Sequence, residues 1–181
     1  MFDGTLDKDL VSDASVCDML VRVGTDSVDV AVFSVVADNS LIYRSFPVAS
    51  PSAGVRALED VVYDNPLMLC DFRKVSIIVG TTCYAVVPSD AADETSAVGI
   101  FRALHAAYSG HVSVLGTATR NASVVCGIES ELSGFIGRTF HGASVMPHIV
   151  PLIRYFASKP CRGNSRRMVC NFRGTSFDIV M

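Results

Sequence analysis

The stretch that most restricts what this chain can fold into is LVRVGTDSVDVAVF, positions 20–33. Apolar residues lead into Gly24-Thr25-Asp26-Ser27, and beyond it valines alternate with small or polar residues. A period of two belongs to strands, and Gly followed by Asp supplies turn chemistry, so the stretch reads as a β-hairpin. Another apolar segment, 41–46, comes after the turn-like Ala37-Asp38-Asn39-Ser40. Residues 19–24, 28–36 and 41–46 are therefore expected to form a three-stranded antiparallel meander. The Gly-Thr-Asp turn has two readings. It is the bend of a hairpin, or it is a loop whose backbone amides hold a phosphate.

The remaining pattern alternates helices and strands. Ser50-Pro51 reads as the cap and first position of a helix with Val55, Leu58, Val61 and Val62 on one face, ended by Asn65-Pro66. Residues 72–80 form a near-continuous apolar strand of the kind buried on both faces, and 83–87 return beside it. A helix over 95–108 has Val98, Phe101, Leu104 and Tyr108 in register, with strands after it at 111–118 and 123–128. Leu132, Phe135, Ile136 and Phe140 mark a further helix that Gly142 closes. After a short strand at 143–146, a helix begins near Pro147 with Ile149, Leu152, Ile153 and Phe156 facing one way. The end of the chain echoes its start. RMVCNFRGTSFDIVM is strand, Gly-Thr turn, strand, and GTDSVDVAV at 24–32 aligns with GTSFDIVM at 174–181 with one gap. The expected organisation is a poorly structured acidic lead-in at 1–17, a first domain at 18–162 with 88–128 as an insertion or subdomain, and a second domain beginning at 163–181.

Composition narrows the function classes. With 181 residues, half of them apolar, the chain can bury a substantial core. No run approaches the roughly 18 apolar residues of a membrane helix, so no membrane span is expected. The first residues lack a cationic start and an apolar stretch, so no secretory leader is visible. Cys17, Cys70, Cys83, Cys126, Cys161 and Cys170 form no C-x-x-C pair. They read as free, mostly buried thiols in a reducing cytoplasm, the expected location. Neither they nor the four histidines fall at ligand spacing, so no metal site is expected. A net charge of −3 argues against nucleic-acid binding. The basic run RGNSRR holds Arg162, Asn164, Arg166 and Arg167, a solvated loop or a contact for an anion or an acidic partner. His141 and His148 read as structural hydrogen-bonding groups at helix ends, and Glu129 and Glu131 as favourable charges opening a helix.

The order of elements resembles the actin-like ATPase fold, whose two ribonuclease-H-like halves each begin with a hairpin. Three stretches carry a closer likeness: FRKVSIIVGTTCYAVVP at 72–88, LSGFIGRTFHGASVMPHIVPLIRYF at 132–156 and GNSRRMVCNFRGTSFDI at 163–179. They are similar to a bacterial family of unknown function with that fold, and more distantly to actin-like pilus and type II secretion assembly proteins. The resemblance implies an α/β fold, a mixed sheet beginning with the meander, helices packed on the sheet, and the opening hairpin of a second half. Family members continue past such a hairpin, so the second domain is expected to be truncated.

Active members of that superfamily carry a phosphate loop of the form Asp-x-Gly-Thr or Asp-x-Gly-Gly-Thr in each hairpin. There the Gly and Thr approach phosphate, and the Asp places a metal ion and water. The resemblance puts Gly24, Thr25 and Asp26, and Gly174 and Thr175, at the loop positions. Arg22 then stands at the first acidic position and Asn171 at the second. An Arg repels Mg²⁺ and cannot act as a base at neutral pH. These replacements imply a non-catalytic scaffold, assembly or interaction protein with no bound cofactor. The alternative is an ATPase or phosphotransferase that binds ATP and Mg²⁺ once completed by further chain or a second copy. Exposed terminal strands are expected to self-associate or to meet a protein partner.

Overall fold

The computed structural model describes residues 6, 8–36, 41–48, 54–91, 93–159, 167–173 and 176–181. The first elements are β1 (Cys17–Val23), β2 (Ser27–Ser34), β3 (Leu41–Pro47), α1 (Gly54–Asp64), β4 (Lys74–Val79) and β5 (Tyr84–Pro88). Next come α2 (Glu94–Leu104), β6 (His111–Thr119), β7 (Ala122–Ile128), α3 (Ser130–Thr139) and β8 (Ser144–Pro147). The last are α4 (Ile149–Ser158), β9 (Val169–Arg173) and β10 (Ser176–Val180). The chain forms two compact units, 1–80 with 130–145, and 81–129 with 146–181.

The first unit is built on a five-stranded sheet of order β3-β2-β1-β4-β8. The expected meander is present: β1 and β2 are antiparallel, as are β2 and β3, while β4 runs parallel to β1. Alternation fixes the buried face. Met19, Val21 and Val23, Val28, Val30 and Val32, and Ile77 and Val79 are all buried. Leu58 and Val62 of α1 and Leu132, Phe135 and Ile136 of α3 are buried as well, and α1 touches both β2 and α3. Each such side chain contributes about 1.5–3 kcal/mol by leaving water. Gly142 comes after α3 with φ +74°, a left-handed conformation that suits a helix terminus. The cap expected at Ser50-Pro51 lies outside the described residues.

Leu6 is fully buried, its N–H donates to Asn65 Oδ1 at 2.6 Å, and its carbonyl accepts from Leu67 N at 3.2 Å.

The second unit holds an antiparallel sheet of order β5-β7-β6. On one face Val125 packs with Ala85, Val87, Ala97 and Phe101, placing α2 there. On the other, Val124 packs with Ala118, Ile149 and Val150, placing α4 there. The strand buried on both faces is therefore β7, with 123–128 all buried. The apolar pattern assigns that place to 72–80 instead. In β4 only Ile77 and Val79 are buried, because Lys74 is exposed and its neighbours are half-covered. Helix α2 stops at Leu104, short of Tyr108, because His105 ends it and places Nε2 3.0 Å from Tyr84 O. Tyr108 instead meets Phe101 edge-on at 5.5 Å and lies over Gly127, where a Cβ would come within 2.3 Å of its ring. Pro147 closes β8 and does not open α4.

Strands β9 and β10 form a two-stranded sheet, and β10 lies against α4 with Val180 packed on the Ile149–Val150 cluster. Residues 146–181, which include this hairpin, group with 81–129 in the second unit. All five described cysteines are free, but Cys170 is exposed and only Cys17 and Cys126 are buried. Burial pushes the Cys126 thiol up to about 12.

Candidate functional site

The first Gly-Thr turn closes the β1–β2 hairpin. Gly24 N donates to Ser27 O at 2.9 Å, and Asp26 O accepts from Val48 N at 2.9 Å. A Cβ on residue 24 would sit 3.0 Å from Ser27 O and 3.2 Å from Asp26 Oδ1, so the close approach calls for glycine. Thr25 and Asp26 are exposed at the tip.

Arg22 does not point an uncompensated charge at this turn. In the β1–β2 register it stands directly opposite Asp29. Its Nε donates to Asp29 Oδ2 at 2.6 Å, its Nη2 lies 2.5 Å from the same oxygen, and Nη2 also donates to Ser27 Oγ at 3.0 Å. Ser27 Oγ donates to Asp29 Oδ2 at 3.1 Å. Tyr43 OH and Ser45 Oγ, both from β3, donate to Oδ1 at 3.0 and 2.6 Å. Burial pushes the Asp29 carboxyl up, but hydrogen bonds from Ser45, Arg22 and Tyr43, with the charge of Arg22, outweigh it and hold the group below its ordinary value. Asp29 is an ionised carboxylate with both oxygens engaged.

The second hairpin repeats the arrangement. Asp178, on the second strand, faces Asn171 in register and is buried. Arg173 grips it from the first strand, Nε to Oδ2 at 2.9 Å and Nη2 to Oδ1 at 3.2 Å. Asn171 Nδ2 donates to Oδ2 at 3.2 Å, so this side chain is engaged within the hairpin. Two further groups come from outside the hairpin: Tyr84 OH donates to Oδ1 at 3.1 Å, and His148 Nε2 lies 3.0 Å from Oδ2. Burial again pushes the carboxyl up, and the hydrogen bonds and charge of Arg173, with the Asn171 hydrogen bond, outweigh it and bring it down to about 2. Tyr84 is pushed up by burial and by the neighbouring carboxylate.

The sequence-derived candidates are thus partly brought together. Gly24, Thr25 and Asp26 share one turn. Gly174 and Thr175, and Arg162, Asn164 and Arg166, lie outside the described residues. Arg167 donates to Phe156 O at 3.2 Å and stacks 4.9 Å over the Phe156 ring, so it serves the end of α4. Among the described residues no three His, Cys, Asp or Glu side chains group as a metal site would need. Sequence pattern does not mark Asp29, Asp178, Tyr84 or His148 as members of a site. A signal for Asp29 is nonetheless present: if Gly24 bonds Ser27, residues whose numbers share the same sum face each other, and Arg22 then faces Asp29. His148 and Tyr84 have no such local signal, because they reach Asp178 across 30 and 94 residues.

Residues 7–181 match the family described as "Protein of unknown function (DUF3822)", and the chain belongs to that family. No curated protein sequence matches significantly. Among solved structures, a Bacteroides thetaiotaomicron protein with actin-like ATPase fold and unknown function superposes with a TM-score of 0.83 at 20% identity. The alignment covers 92% of this chain and 65% of that one, so the chain spans just under two thirds of the relative. The cytoplasmic domain of EpsL, an inner-membrane component of the type II secretion system of Vibrio cholerae, aligns at 18% identity over 72% of this chain and 53% of that one. Its TM-score of 0.39 supports no structural inference. The fold is the actin-like ATPase fold. Among the described residues no helix is long and apolar enough to cross a membrane.

Proposed function

We propose that this DUF3822 member works as a non-catalytic actin-like scaffold, an assembly or interaction protein whose phosphate loops have lost their chemistry. One observation carries the reading. At the position where an active loop holds a metal-placing Asp, Arg22 stands in an ion pair with Asp29 that engages both oxygens of that carboxylate. A guanidinium there opposes Mg²⁺, and a carboxylate so satisfied would have to break several hydrogen bonds to become a ligand. Phosphoryl transfer depends on charge compensation and positioning, and a magnesium ion would be repelled where it is needed. The second hairpin supports the same reading through Asn171, which donates to Asp178 at the place where an acid is expected.

Phosphate release from ATP with millimolar Mg²⁺ tests the proposal. The expected rate is the buffer blank, unchanged by Gly24→Val. Magnesium-dependent turnover that Gly24→Val abolishes would overturn it.

A further inference from the structure

The chain passes from the first unit to the second between residues 80 and 81, and again between 145 and 146. Just inside the second unit, the two passages are joined. Thr81 N–H donates to His148 Nδ1 at 3.4 Å, and the Tyr84 ring meets the His148 ring edge-on at 5.8 Å. An Nδ1 that accepts from a backbone amide assigns the proton to Nε2, which then donates to Asp178 Oδ2 at 3.0 Å. Tyr84, three residues beyond Thr81, donates to the other oxygen of the same carboxylate. One buried side chain on the last strand is thus the common acceptor for a residue from each passage.

In the hairpin that carries Asp178, β9 and β10 pair antiparallel with each other. Its outward side chains, Phe172, Phe177 and Ile179, are exposed. Its inward ones are Val180 against α4 and the Asp178 cluster. Thr81 is fixed from its other side too, since its Oγ1 accepts from Cys83 N at 3.0 Å and donates to Gly127 O at 3.4 Å.

We infer that the seating of the β9–β10 hairpin through Asp178 holds together the two places where the chain enters the second unit. When Asp178 leaves, Tyr84 and His148 lose their shared acceptor, and the Thr81–His148 bond loses the group that orients its imidazole. Whatever grips or lifts β9–β10 is then registered at Thr81–Tyr84 and Met146–His148. This coupling goes beyond the reading of the loops and does not depend on whether a nucleotide binds.

Amide hydrogen exchange on the 181-residue chain, comparing wild type with Asp178→Asn, tests it. Exchange is expected to rise at least tenfold in 169–173 and 176–180 and also at the amides of Thr81–Tyr84, Met146 and His148. The neighbouring Gly80 amide, bonded to Val23 O at 2.8 Å in the first unit, and the β1–β3 amides serve as the unchanged reference. Faster exchange confined to the hairpin, or none, overturns the proposal. If Asp178→Asn accelerates every amide, Tyr84→Phe decides. It keeps the ring against His148 and removes one donor, and the same pattern at two- to fivefold is expected. A uniform or hairpin-only response to Tyr84→Phe overturns the coupling.

Discussion

The two hairpins solve one electrostatic problem with different surroundings. Each carries an Arg on its first strand, an Asp on its second, and a Tyr hydroxyl from a third strand bonded to that Asp. In the first, every donor to Asp29 comes from the β1–β3 meander, which is already braced by sheet hydrogen bonds. In the second, two of the donors to Asp178 come from chain remote from the hairpin. Exposure separates them further. The Arg22 side chain keeps 39% of its surface in water, and Arg173 keeps 9%. The same pair is therefore a local brace in one place and a tertiary tie in the other. The cost of breaking it depends on the water left to the orphaned arginine, not on the pair itself.

The largest effect that would sharpen this contrast is Asp178→Ala. It strands a buried Arg173 and is expected to cost about 3–5 kcal/mol in urea unfolding. Asp29→Ala is expected to cost about 2 kcal/mol, since Arg22 and Tyr43 can turn to solvent. Equal costs for the two would break the comparison. Acid titration gives a third measure. The folded Asp178 value of about 2 lies below its ordinary 3.8, so its contribution is fully present above pH 4 and is lost as pH falls towards 2. That contribution is on the order of 2 kcal/mol, and Asp178→Asn should flatten the acid limb of the stability curve. Arg22→Ala, which leaves Asp29 with Ser27, Tyr43 and Ser45, is expected to cost about 1 kcal/mol. Thr25→Ala at the exposed tip is expected to change stability by less than about 0.5 kcal/mol. A cost above that would mean that the Thr25 hydroxyl has a structural partner.

Much of the fold is legible in the sequence because local pattern and tertiary role agree in the meander. Met19, Val21 and Val23 alternate, and every one of them is buried. The pattern misleads where two roles share one composition. An apolar run reads the same whether one face is buried, as in β4, or both, as in β7, and only the helices above and below decide. Spacing alone extends α2 as far as Tyr108, which stands at helical distance from Phe101, yet its ring is drawn down onto Gly127. For the site, Arg22 and the Gly-Thr turn are visible in the sequence, but a substitution at a motif says nothing about what neutralises it. Asp29 is within reach of a register argument. Asp178, His148 and Tyr84 meet only through the fold, so no spacing announces them.

Neutralisation of the Arg22 charge by Asp29, which leaves it undirected at a nucleotide, is tested most directly by calorimetric titration of MgATP into the 181-residue chain. No saturable heat is expected up to millimolar nucleotide, with or without magnesium. A saturable, magnesium-dependent isotherm that disappears in Gly24→Val would contradict it.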